Sequence, residues 1–149
     1  MSKDREITSS RTVNYSQAEV YQAWSNPDLL AQWWGPKGFT NTFHAFDLIP
    51  GGTWRFTMHS PQGANFDNMC VFVEIVPNKR LVFDHVEPVH AFQVITTFDS
   101  QSEGTLITFR MVFKSAEECE RSREVIEPSN EENFDRLEAL LSSHFNSKV

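Results

Sequence analysis

The chain has 149 residues, 40% of them hydrophobic and 13% aromatic, with 13 phenylalanines against eight leucines and a formal charge of −7. A chain of this length buries roughly two-thirds of its unfolded surface, so one domain over residues 1–149 is expected, with no need of disulfides or a structural metal. The acidic balance excludes a general nucleic-acid binder, and apolar runs as short as Met69-Cys70-Val71-Phe72-Val73 exclude a membrane-spanning helix of ~20 residues.

Residues 6–15 are rich in Thr, Val, Ile and Tyr with partial alternation and predict a first strand. Ser16 and Glu19 form a capping box, in which each side chain satisfies a free backbone N–H at a helix start. Val20, Ala23 and Trp24 then share one helical face. Asn26-Pro27 starts a second short helix, with proline in the first turn where no N–H is needed. Its apolar side is Leu29, Leu30, Trp33 and Trp34, and Gly35-Pro36 ends it.

From Thr40 to Phe113 the pattern alternates, and turn residues divide it into strands near 40–48, 53–59, 67–76, 80–87, 90–99 and 104–113. Connections this short join antiparallel neighbours. Trp54, Phe56 and Met58 fall on one face of their strand and Arg55, Thr57 and His59 on the other; Ile107, Phe109, Met111 and Phe113 do the same later. Ser115 with Glu118 and Ser129 with Glu132 are two further capping boxes, and Pro128 is expected to break or kink the helix between them. The terminal helix carries Phe134, Leu137, Leu140, Leu141 and Phe145 on one stripe, which covers the apolar face of the sheet.

Chemistry-bearing motifs are sparse. His44, His59, His85, His90 and His144 show no metal-ligand spacing, so no metal is expected; His85 and His90 flank the Glu87-Pro88 turn and could meet across a hairpin. Cys70 lies in an apolar run and Cys119 among Glu117, Glu118 and Glu120, settings that both disfavour a thiolate. The start, Met-Ser-Lys-Asp-Arg-Glu, has no apolar stretch behind its charges and does not read as a secretory signal, so both cysteines are expected as reduced thiols in a cytoplasmic protein. Glu74 and Asp84 interrupt apolar strands. Facing inward, Glu74 would be a buried polar group of the cavity with a raised pKa suited to acid catalysis; facing outward, it would be ordinary strand decoration. Between Ser115 and Glu138 nine acids stand against three arginines, either a docking surface for a basic partner or the solvated face of a helix.

Several motifs in order carry a resemblance: Ala18-Glu19-Val20-Tyr21-Gln22-Ala23-Trp24, then Leu30-Ala31-Gln32-Trp33-Trp34-Gly35-Pro36, Asp47-Leu48-Ile49-Pro50-Gly51-Gly52-Thr53-Trp54-Arg55-Phe56-Thr57-Met58 with Pro61-Gln62-Gly63, and Glu74-Ile75-Val76-Pro77-Asn78-Lys79-Arg80-Leu81-Val82. Over about residues 10–145 the chain resembles the START-like helix-grip (SRPBCC) superfamily, and within it proteins similar to the C-terminal domain of the activator of heat-shock protein 90 ATPase. The family's Gly-Trp step before an aspartate-arginine-leucine helix is replaced here by Glu131-Glu132-Asn133-Phe134, while Asp135-Arg136-Leu137 is kept.

The resemblance implies an α+β helix-grip fold: a curved antiparallel sheet of about seven strands wrapped around a long C-terminal helix, with two short helices after the first strand. It further implies a hydrophobic cavity holding a small apolar or aromatic ligand, in a stress-related setting, without a cofactor. The expected lining is Trp34, Trp54, Phe56, Met58, Phe72, Phe92, Phe109, Met111 and Phe134. Two alternatives from other classes stay open. One is a polyketide cyclase or hydrolase using Glu74, His59 and Asp84; the other is a chaperone cofactor, or a homodimer, acting through the acidic helix.

Overall fold

Alternating strands with one apolar face cannot remain open to water, and in a computed structural model, which describes residues 5–86 and 91–145, they form a single seven-stranded antiparallel sheet. The elements are β1 (Glu6–Val13), α1 (Gln17–Ser25), α2 (Pro27–Trp33), β2 (Thr40–Phe46), β3 (Thr53–His59), β4 (Asn65–Val76), β5 (Arg80–Val86), β6 (Ala91–Gln101), β7 (Gly104–Phe113) and α3 (Ala116–Phe145). The sheet order is β1-β7-β6-β5-β4-β3-β2, so β2 to β7 form a meander and β1 returns to its far edge. This is the α+β helix-grip architecture. The Glu87-Pro88 turn and His90, and with them the pairing of His85 and His90, lie outside the described residues.

The local chemistry accounts for the helix starts. The Ser16 hydroxyl accepts from the Glu19 N–H at 3.2 Å, and the Glu19 carboxylate accepts from the Ser16 N–H at 3.0 Å. Asn26 caps α2 ahead of Pro27. At the start of α3 the Ser115 hydroxyl accepts from Glu118 N–H. The second capping box expected there does not form. The α-helix runs unbroken from Ala116 to Phe145 through Pro128, and the Ser129 hydroxyl donates to the Val125 carbonyl one turn back. A serine inside a helix that bonds back in this way is no longer free to cap.

Parity fixes which side chains enter the core. On β7, Thr105, Ile107, Phe109, Met111 and Phe113 are buried and alternate with half-buried residues. Helices α1 and α2 contribute Trp24 and Trp33, whose rings meet edge to face at 4.8 Å, and the Trp33 indole donates to the Ala23 carbonyl. From α3, Phe134, Leu137, Leu140 and Leu141 close the core from the other side. Each such side chain taken out of water contributes about 1.5–3 kcal/mol.

Two arginines tie α3 to β1. Arg11 of β1 reaches Glu131, Asp135 and Glu138 at 2.7, 2.7 and 2.9 Å and lies over the Phe134 ring. Burial opposes its charge, but the hydrogen bonds it donates to Asp135, Glu131 and Glu138 outweigh this and raise its pKa above the ordinary arginine value. Arg123 joins Glu120 and Glu127 and donates to the Glu6 carbonyl. Much of the acidic stretch thus serves as the solvated, ion-paired flank of the helix.

Candidate functional site

Between the inner face of the sheet and α3 lies a cavity of about 160 Å³. The sheet supplies an apolar wall: Phe56 and Met58 from β3, Phe83 from β5, Phe92 and Val94 from β6, and Phe109 with Met111 from β7. Trp34, Gly35 and Pro36, in the segment after α2, form one side. The half-buried lining residues Trp34, Pro36, Met58 and Phe92 mark where the cavity opens.

Five polar residues also reach it. Asn68 and His85 come from the sheet, with the His85 imidazole 2.8 Å from the Asn68 side-chain oxygen and stacked on Phe92 at 4.7 Å. Ser129, Asn130 and Asn133 come from α3. The Asn130 amide nitrogen donates to the Ser9 hydroxyl at 3.1 Å, and the Asn133 side-chain oxygen accepts the Gly35 N–H at 3.1 Å. Among the described residues, none that lines the cavity is Lys, Arg, Asp or Glu.

The segment from Trp34 to Phe39 is held against α3 by its backbone. Arg136 donates to the carbonyls of Pro36 (2.9 Å), Phe39 (2.9 Å), Gly35 (3.0 Å), Gln32 (3.0 Å) and Trp34 (3.3 Å). A rigid guanidinium fork suits this task, because α2 ends with unpaired carbonyls and one planar group can face several of them. Burial lowers the Arg136 pKa from its ordinary value, and an arginine stays charged in proteins nonetheless. Glu132 adds a contact by accepting the Lys37 N–H. Gly35, at φ +105°, allows the turn that brings Trp34 over the cavity.

Six of the nine expected lining residues border this cavity: Trp34, Phe56, Met58, Phe92, Phe109 and Met111. Three do not. Trp54 stacks behind Phe56 at 4.4 Å, and Phe72 lies parallel to Trp54 at 6.2 Å, both fully inside the core. Phe134 turns under Arg11 and borders only a crevice of about 10 Å³ beside Trp24 and Trp33. The expectations missed Phe83 and Val94, and all the polar members. Strand parity held a signal for two of these, since Asn68 alternates with Cys70 and Phe72, and His85 with Leu81 and Phe83.

Glu74 is not a cavity group. The register shifts between Phe72 and Glu74, which leaves Val73 as the extra residue of a bulge and sets Glu74 opposite Val82 on the outer face. There it is half-exposed and pairs with Arg80 at 2.8 Å. Asp84 accepts from Gln93 across neighbouring outer-face positions, and His59, half-buried at the end of β3, contacts Thr42 and Asn65. The three ionisable groups that a cyclase or hydrolase reading needs therefore converge nowhere inside, and that reading loses its site. A wider hollow of about 580 Å³ is bordered by Arg5, Asp84, Val86, Ala91 and Lys114. Among the described residues no three His, Cys, Asp or Glu groups assemble as metal ligands, and no helix is long and apolar enough to cross a membrane.

The family model for activator of Hsp90 ATPase homolog 1-like protein matches residues 14–142. No curated protein matches the sequence. Among solved structures, the chain is similar to a Nitrosomonas europaea protein at 21% identity and TM-score 0.90, covering 99% of this chain and 100% of that one. A Mycobacterium smegmatis protein is similar at 21% identity and TM-score 0.83, over 96% and 94% of the two chains. A Rhodobacter sphaeroides protein is similar at 18% identity and TM-score 0.85, over 95% of each. At these identities the likeness concerns the fold alone.

Proposed function

The chain belongs to the activator of Hsp90 ATPase homolog 1-like family, and from that membership we propose that it binds a small, mostly apolar molecule of single-ring size in the cavity between the sheet and α3. The observation that carries the reading is the cavity itself: about 160 Å³, walled by aromatic, Met and Val side chains, with a few fixed polar groups. Small-molecule sites have this make-up, apolar walls with few placed polar atoms. Its size decides the ligand class. Drug-sized molecules need about 300 Å³ or more, whereas a cavity of about 150 Å³ holds benzene. Trp34 in the wall makes binding visible in intrinsic fluorescence.

The experiment titrates the protein with benzene, toluene and indole while following tryptophan emission, alongside a Val94→Phe variant. Val94 is 1% exposed and lines the cavity, so the added ring occupies the space a ligand would take. The parent is expected to respond with saturable shifts. Val94→Phe is expected to lose them while changing stability by less than the roughly 1–3 kcal/mol of an overpacked core, because the space exists. Absence of any saturable response in the parent, or equal binding by the variant, refutes the reading.

A further inference from the structure

The polar side of the cavity carries more information than its volume. Asn130 and Asn133 stand three positions apart on α3, one helical turn, and so present neighbouring side chains to the same space. Asn130 is only 8% exposed. Its amide nitrogen points to the Ser9 hydroxyl and the Met111 sulfur, at 3.1 and 3.8 Å. Sulfur is a weak acceptor and no donor here, which fixes the NH2 on that side and leaves the side-chain oxygen on the other. Among the described residues that oxygen has no protein donor. Asn133 has the complementary arrangement: its oxygen is taken by the Gly35 N–H. Among the described residues its NH2 meets no protein acceptor.

Neither of these two atoms is sealed from solvent, so water can hold them until a ligand of matching polarity displaces it. One acceptor and one donor side by side match a ligand that offers one N–H and one C=O on a single edge. We propose that the cavity selects neutral single-ring aromatic amides or lactams, the Asn130 oxygen accepting the ligand N–H and the Asn133 NH2 donating to the ligand carbonyl. This rests on the ligand-binding reading above and narrows it. Charge supports the neutral form: the described lining has no Lys or Arg, and the guanidinium of Arg136, which holds the Trp34–Phe39 segment, is spent on five backbone carbonyls. A carboxylate entering the cavity would lose its water without gaining a cation.

The test compares toluene, benzamide and benzoate by tryptophan fluorescence at pH 8, where benzoate is ionised. Benzamide is expected to bind about tenfold or more tightly than toluene, the effect of two neutral hydrogen bonds, and benzoate at least about tenfold more weakly than benzamide. Asn130→Leu is expected to cut the ratio of benzamide to toluene affinity to below about threefold. Asn133→Asp keeps an acceptor for Gly35 N–H and removes the donor, so it is expected to cut the same ratio by a similar factor. Toluene binding with no benzamide preference overturns this proposal and leaves the apolar reading standing. Benzoate binding as tightly as benzamide, or a preference untouched by both variants, also overturns it. No binding by any of the three overturns both readings.

Discussion

Replacing Arg136 by Met tests whether α3 holds the wall of the cavity through backbone carbonyls. Methionine keeps most of the aliphatic stem and removes the fork, so the change isolates the hydrogen bonds. Four of the five contacts are 3.0 Å or shorter. Each hydrogen bond contributes about 1 kcal/mol net, and in the variant water reaches some of the freed carbonyls in this partly exposed segment, so the expected loss is about 2–4 kcal/mol. Against a usual total of about 5–15 kcal/mol this is a large share. For a chain of this size it corresponds to a Tm lower by roughly 5–15 °C. Thermal unfolding followed by circular dichroism measures it. Arg136→Lys, a point charge with three donors, is expected to recover only part of the loss. Because Trp34 sits in the clasped segment, its emission in Arg136→Met should shift to the red before global unfolding begins. An unfolding curve within about 2 °C of the parent, with unshifted emission, would refute the idea that the fork organises this segment.

Arg11→Met should cost about 1–2 kcal/mol at low salt, from three partly exposed ion pairs and one ring contact. In 1 M salt, where screening acts over about 3 Å, the loss should shrink to about half or less. Urea midpoints at the two salt concentrations check it, and equal losses would show that the arginine acts by packing alone. Gly104→Ala should cost about 3 kcal/mol or more, because Gly104 has φ +138° and an added Cβ would collide with the Val13 carbonyl. Urea unfolding decides this too; a loss under about 1 kcal/mol would mean that the β1–β7 end rearranges freely.

The element order could be read from the sequence because each strand states its own parity: Ile107, Phe109, Met111 and Phe113 all alternate into the core. The site was legible only in part. Alternation tells which face a ring takes, and not how deep it lies, so Trp54 and Phe72 look the same in sequence as Phe56 although they pack behind it. A bulge is silent in a run such as Met69 to Val76, where both faces are apolar, and one extra residue at Val73 moved Glu74 to the outside. Ser129 and Glu132 have capping-box spacing, yet the hydroxyl bonds to Val125 and the carboxylate to Lys37, a competition set by tertiary contacts. Asn130 and Asn133 look like ordinary polar helix positions, and only the docking of α3 turns them toward the cavity.

The return of β1 to β7 has a consequence for how the molecule is made. Glu6 lies opposite Val112, more than a hundred positions along the chain. At about 5–20 residues per second of synthesis, β1 waits several seconds or longer for its partner strand. Throughout that time the inner aromatic face lacks its longest cover, since α3 follows β7 and only the short α1 and α2 precede the strands. Sheets closed by such distant pairings also belong to the slow class, folding in milliseconds to seconds once complete. The nascent chain therefore exposes its stickiest surface for most of its synthesis, and enclosing the cavity is the final event of that history.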